Sequence, residues 1–194
     1  MGNVIEQSYL NKARKDKFLL VFDVPPILKS TVAEYTRDNT HMNPNSVQFS
    51  VFGSMIPQIT VKGIAARYVG STLYISSHSK EPFPPVNVKF NVDSMYSNYW
   101  VIYQWLNLLH DQKTGGYNQD NHPVDANFND YMTNITIFGL DEFGKKRIKF
   151  TYIKAFPTSL DELEYDQKID SGEEITSGFT FLFSQIHTEL VEEF

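Results

Sequence analysis

Short alternations of apolar and polar residues run through most of this chain, and the period lengthens to that of an amphipathic helix over one long stretch only. Lys17 to Val24 (KFLLVFDV) is a compact apolar run stopped by Pro25-Pro26; proline has no N–H for a sheet ladder, so the pair ends a first strand. Residues 25–45, with Pro25, Pro26, Asn39, Asn43, Pro44 and Asn45, carry loop chemistry with one helical turn around Thr31 to Tyr35, and read as an excursion from the core. Val47, Phe49 and Val51 alternate with Gln48 and Ser50, which turns one face inward and predicts a second strand. After the break at Met55-Ile56-Pro57, ITVKGIAARY and TLYISS are two extended arms within residues 59–77, with Gly70-Ser71 as their turn. Such a hairpin is long for a chain of this size.

Val86, Val88, Phe90 and Val92 alternate strictly with Asn87, Lys89 and Asn91, giving a strand with one buried and one polar face. The period then changes. From Asp93, a residue suited to an N-cap, Val101, Ile102, Trp105, Leu108 and Leu109 recur at helical spacing, with Gly115-Gly116 beyond the end. The pattern predicts a helix of about four turns that lays Trp105 and Leu109 against a sheet. Residues 112–130 (QKTGGYNQDNHPVDANFND) have almost nothing to bury and predict a long polar loop. Ile135 and Ile137 open a further strand, Asp141 to Lys145 turns the chain, and Ile148, Phe150 and Tyr152 return it. A polar link from Ser159 to Gly178 precedes a last strand in which Phe179, Phe181 and Phe183 alternate with Thr180, Leu182 and Ser184. The order is strands, one helix, then strands: a mainly β fold of the α+β kind, with Phe90, Trp105, Leu109, Phe150 and Phe181 as core.

Composition narrows this picture. At 194 residues the chain is one domain, 1–194, with a polar arm at 1–16 of a kind often unordered before assembly. Its 15 Phe and 11 Tyr favour pleated, half-buried surfaces. There is no cysteine, which excludes disulfides, thiolate metal sites and cysteine nucleophiles. No signal-peptide pattern opens the chain, and no apolar run approaches the roughly 20 residues of a membrane span, so synthesis and residence in the cytoplasm until assembly are expected. The net charge of −6 argues against tight binding of nucleic acid and is compatible with a wall that DNA slides past.

Candidate chemistry is sparse. His41, His78, His110, His122 and His187 stand far apart with no ligand spacing, and read as surface or capping residues. His78 follows Ser76 and Ser77, but neighbours in sequence are not thereby face to face. Asp120, Asn121, Asp125, Asn127 and Asp130 offer oxygen ligands without the order of an EF-hand loop, which favours a solvated loop. Asp161, Glu162, Glu164 and Asp166 follow Thr158-Ser159, where they read as acids near the start of a short helical turn. Asn134-Ile135-Thr136 matches a glycosylation acceptor by chance, within a predicted strand. No phosphate-binding glycine motif occurs, and neither an enzyme nor a cofactor is expected. Trp105 reads as core, whereas Tyr96, Tyr99, Trp100 and Tyr103 wrap round other faces of the helix and suit an interface with a neighbouring subunit.

The pieces and their order resemble the tail tube proteins of contractile, T4-type phages and, more distantly, the tube protein of type VI secretion systems. The resemblance covers about residues 46–190. It is carried by Val51 to Arg67 (VFGSMIPQITVKGIAAR), by the passage from Val86 to Asp111 with Phe90, Tyr99 and Trp105, and by the end of the chain. There, Ile148-Lys149-Phe150 leads into Ala155-Phe156-Pro157-Thr158, read as a turn, then Leu163-Glu164-Tyr165-Asp166 and the Phe179 to Phe183 alternation. The resemblance implies two packed antiparallel sheets, a sandwich or barrel with one flanking helix and a long protruding hairpin. It further implies hexameric rings that stack, join their hairpins into a channel, and sit in the virion beside other tail or baseplate proteins. DNA or a tape-measure protein would pass through. The matching hairpin residues are Ile59, Val61, Gly63, Ala65, Arg67, Val69, Leu73 and Ile75. Residues 25–45 and 112–130 match nothing in the family, which keeps open a baseplate tube-initiating ring or a short-tail ring. From another class, a carbohydrate- or peptide-binding β-sandwich would use exposed Tyr and Trp in a groove.

Overall fold

A computed structural model of the chain describes residues 13, 15–38, 46–49, 51–53, 56–109, 128–165 and 174–191. Strand β1 (Phe18–Asp23) leads through a 3-10 turn (Pro26–Leu28) into helix α1 (Lys29–Asp38), and β2 (Ser46–Phe49) and β3 (Val51–Phe52) follow. A hairpin of β4 (Val61–Tyr68) and β5 (Ser71–Lys80) precedes β6 (Val86–Asn91), α2 (Ser97–Leu109) and a 3-10 turn (Phe128–Tyr131). The chain ends in β7 (Thr133–Leu140), β8 (Lys146–Leu160), β9 (Thr176–Leu182) and β10 (Gln185–Leu190).

Every strand pairing is antiparallel. The main sheet runs β2-β1-β7-β8-β9-β6-β3, with β10 beside β8. Its two terminal strands, β2 and β3, are consecutive in the chain, so one short segment serves both margins and the sheet curls round a common core. β8 makes the opposite corner. Its first part pairs with β7 and β10, its last part with β9, and the chain bends at Lys154 (φ 55) and at a register shift around Thr158. Pro157 is buried beside that shift, where a residue without an N–H interrupts little of the ladder. The Phe156-Pro157-Thr158 turn expected from the sequence is thus a bent strand. Just past the end of β8, Gly178 leaves room for the Asp161 carboxylate, since a Cβ there would force that side chain to move and would stand 3.1 Å from the Val88 carbonyl oxygen.

The core joins residues from across the sequence. Leu20, Phe22, Phe49, Val88, Phe90, Tyr152, Phe179 and Phe181 are buried inside the curled sheet. The rings meet edge-on or tilted: Phe49 lies 5.1 Å from both Phe22 and Phe90, and Tyr152 lies 5.2 Å from Phe181. α2 adds Val101, Ile102, Trp105 and Leu108, while Leu109 and Phe150 are half-buried against the cluster. The Trp105 indole N–H donates to the Tyr131 carbonyl oxygen at 2.8 Å, tying the helix to the entry of β7. Helix α2 starts four residues later than its cap residue. The Asp93 carboxylate accepts from the backbone amides of Met95, Ser97 and Asn98, and the buried Asn98 side-chain amide (Nδ2) donates to the Asn91 carbonyl oxygen at 2.9 Å.

Several expectations need correction. Residues 26–38 are not an excursion: Leu28 and Val32 are fully buried, and α1 makes a second helix where one turn was expected. The prolines that read as loop chemistry start this helical segment, since proline is tolerated in a first turn and Pro26 opens the 3-10 turn. Thr158 and Ser159 are extended in β8, and 161–165 is not helical. β10 was not foreseen: QIHTEL alternates Ile186, Thr188 and Leu190 with Gln185, His187 and Glu189, but the signal is short and only Ile186 packs towards the core. Residues 39–45 and 110–127 lie outside the described residues, and with them the last third of the unmatched segment 25–45 and most of 112–130; 128–131 form the 3-10 turn.

Candidate inter-subunit interface

β4 and β5 form a two-stranded sheet of their own, and no described strand lies beside either one. Alternating apolar and small residues make them extended, and a two-residue turn at Val69-Gly70 joins them. Both turn residues have positive φ, 43° and 79°, the geometry whose twist matches an antiparallel pair. The expected turn at Gly70-Ser71 is therefore one residue late; Ser71 already belongs to β5. Gly70 adopts this conformation freely, but a β-branched residue at positive φ is strained by about 1 kcal/mol or more. At the base a register shift separates the Val61–Lys80 pair from the Gly63–Ser76 pair, with His78 at φ 54° and its amide donating to the Ser76 hydroxyl at 3.2 Å.

The register sorts the side chains. Ile64 opposes Ile75, Ala66 opposes Leu73, Ala65 opposes Tyr74 and Arg67 opposes Thr72. Val61, Gly63, Ala65 and Arg67 hence share one face with Thr72, Tyr74 and Ser76, while Leu73 and Ile75 share the other with Ile64 and Ala66. Ile59 precedes β4 and Val69 sits in the turn. The eight hairpin residues singled out from the sequence thus do not form one surface. This division was legible without coordinates, because any two-residue turn pairs even positions of one arm with odd positions of the other.

Exposure makes the hairpin unlike the rest of the molecule. Ile64, Leu73 and Ile75 are 53%, 56% and 49% exposed, against 0% for Phe90 and Phe181 in the core. Adjacent large aliphatic side chains on a free two-stranded sheet are an association surface, and free strand edges are unpaired rows of N–H and C=O groups. Charge separates it as well. β4 and β5 carry Lys62, Arg67 and Lys80 and no carboxylate, in a chain of net charge −6, so the acidic balance lies outside the hairpin.

The helix aromatics divide too. Tyr99 and Trp100 pack half-buried against the core, whereas Tyr96 and Tyr103 are exposed. The Tyr165 hydroxyl donates to that of Tyr96 at 3.3 Å, and this bond, with some desolvation, raises the pKa of Tyr165 above its ordinary value. His78 and His187 are exposed on β5 and β10; His41, His110 and His122 lie outside the described residues. So do Asp120, Asn121, Asp125, Asn127 and Asp166, while Asp130 ends in the 3-10 turn and Asp161, Glu162 and Glu164 follow β8. Among the described residues no group of three or more His, Asp or Glu side chains is placed to hold a metal ion, and no helix is long and apolar enough to cross a membrane.

The family model described as phage tail tube protein matches residues 13–183. The chain belongs to the phage tail tube protein family. It is a structural protein of the phage tail, a component of the virion. The fold is also that of solved injection-machine proteins. A chain of the PVC sheath-tube complex of an extracellular contractile injection system, in its extended state, has a TM-score of 0.58 at 14% identity, covering 98% of this tail tube family member and 100% of that chain. A chain of the anti-feeding prophage baseplate has 0.55 at 14% identity over 92% and 96%, and one of the anti-feeding prophage tube-terminating cap has 0.53 at 15% over 98% and 100%. No curated protein sequence matches the chain.

Proposed function

We propose that this tail tube protein is a ring-forming subunit, six copies to a ring, whose β4–β5 hairpins pair edge to edge into one closed barrel around a channel. The observation that carries the reading is the hairpin itself, a two-stranded sheet with no other described strand beside it and half-exposed aliphatic side chains. An isolated hairpin is marginal in water, and closing a ring of identical copies removes every free edge at once. Family membership supports it, and one similar structure, the anti-feeding prophage baseplate, was solved with 6-fold symmetrisation. Rings stack against one another and against other tail or baseplate proteins, and DNA or a tape-measure protein passes through the channel without tight binding. The protein catalyses nothing and needs no cofactor.

A place at the baseplate end, as tube initiator or short-tail ring, is the second reading; a tube-complex chain and a baseplate chain share this fold alike, at TM-scores of 0.58 and 0.55, so the fold does not separate the two. Negative-stain microscopy of the purified chain tests the main reading. Annular particles or tubes with a central hole are expected, and stacking into long tubes separates a tube subunit from a single-ring component. Single-subunit particles at every concentration, even with other tail proteins added, would sink it, and a sugar- or peptide-induced rise in melting temperature would point to a binding sandwich instead.

A further inference from the structure

We infer that the hairpin enters the ring with a defined inside and outside: Ile64, Ala66, Leu73 and Ile75 are buried against the body of a second copy, and Arg67, Thr72, Tyr74 and Ser76 border the channel. The inference rests on the ring reading above and adds to it an orientation that edge pairing alone leaves free. Pairing satisfies the backbone of β4 and β5 but covers neither face, so one face meets subunit bodies and the other meets the aqueous channel.

Three observations select the same orientation. The register gathers Ile64, Leu73 and Ile75 on one face; the other holds Val61 at the base of the hairpin and, above it, Gly63, Ala65, Thr72 and Ser76 with Arg67 and Tyr74. Each aliphatic side chain is about half exposed, and completing its burial is favourable in proportion to the apolar area removed from water, which a water-filled channel cannot supply. The half-buried positions among the hairpin's described side chains, Ala66 and Ser77, both lie on the aliphatic face, whereas Tyr74 on the opposite face is 77% exposed. Finally, charge identifies the occupant as another copy. The hairpin carries Lys62, Arg67 and Lys80 without a carboxylate, and the rest of the same chain is correspondingly more acidic than its net −6. Lys62 lies on the aliphatic face, towards the acidic body of the neighbour. Arg67 lies on the other, so each copy places one guanidinium at the channel wall near the hairpin tip.

The chain has no cysteine, so a single introduced thiol reports on one position. Tyr74→Cys and Ile75→Cys sit side by side on opposite faces; Thr72→Cys and Leu73→Cys repeat the pair nearer the turn in case one substitution prevents assembly. Reaction with a small maleimide is timed for dispersed subunits and for assembled rings or tubes. All four thiols are expected to react readily when dispersed. On assembly the Ile75→Cys and Leu73→Cys thiols slow by about tenfold or more, since reaction then requires local opening, while Tyr74→Cys and Thr72→Cys keep their rates. Rings with the opposite pattern, or with all four thiols equally protected or equally reactive, overturn the orientation and leave the ring reading standing. Protection of the aliphatic-face thiols already in dispersed subunits means the face folds onto its own body, which also overturns it. Absence of rings from the unsubstituted chain overturns the ring reading itself.

Discussion

The curled sheet and the β4–β5 hairpin are built from the same kind of alternating sequence, yet one completes itself and the other does not. In the sheet, each strand has a partner on its working edges, and Phe22, Phe49, Phe90, Phe179 and Phe181 close on one another and on Trp105. In the hairpin, Ile64, Leu73 and Ile75 occupy equivalent alternating positions and remain in water. Alternation therefore marks a strand with one apolar face. It says nothing of whose surface covers that face, and at the hairpin that face is left half exposed.

The comparison can be broken by substitution. Trp105→Ala should have the largest effect, about 3–5 kcal/mol of lost stability, because it leaves a cavity and removes the indole hydrogen bond to the Tyr131 carbonyl oxygen; urea denaturation of dispersed subunits measures it. A loss below about 1 kcal/mol would mean that α2 is not part of the core. Asp93→Ala removes the acceptor of three amides at the start of α2 and should cost about 1 kcal/mol by the same measurement.

Val69→Gly relieves the positive φ of the turn and should slow hydrogen exchange in β4 and β5 about threefold, with no change in the global melting temperature; faster exchange would show that the turn is unstrained. Leu73→Ser, on the hairpin, should leave the melting temperature of dispersed subunits within the effect of an ordinary surface change, about 0.5 kcal/mol, while raising the concentration at which rings form. A large loss of monomer stability would show that Leu73 belongs to the core.

The smallest effect is electrostatic. At Asp141 desolvation raises the pKa, but the amides of Lys145 and Phe143 and the Arg147 guanidinium, 2.9 Å away, outweigh it and hold the carboxyl below 3.8. A lowered folded-state value stabilises the β7–β8 turn above the unfolded-state pKa and is lost as pH falls through the folded one. Asp141→Asn should therefore lower the melting temperature slightly at neutral pH, and the difference from the unsubstituted chain should shrink below pH 3.8. A difference that is constant with pH would mean the ionised carboxylate is not what holds the turn.

Much of this molecule was open to reading by period and punctuation. β1, β6, β7 and α2 carry strong local signals: a proline stop after Val24, strict alternation from Val86, an acidic cap at Asp93 before a helical stripe. α1 was underestimated because prolines and polar residues suggested a loop, and only the burial of Leu28 and Val32 against the core gives that segment its worth. β10 left only a short mark, since a strand with one lightly packed residue gains its place from backbone pairing with β8. The bend in β8 was equally hidden, because Lys154 and Thr158 look like ordinary strand residues until two sheets compete for the same strand.

For the hairpin, the sequence determines two extended arms, a tight turn and, through any two-residue turn, the parity that puts Ile64 and Leu73 on one side and Arg67 on the other, a division missed when all eight residues are grouped together. These are local properties, set by the two-residue repeat of an extended chain. Tertiary structure alone decided that no other described strand flanks the arms and that their aliphatic face is uncovered, because occupancy of an edge or a face depends on residues far away in the chain. The same holds for the curled sheet, where β2 and β3 become opposite margins only once β8 has bent to bring β6 and β9 round.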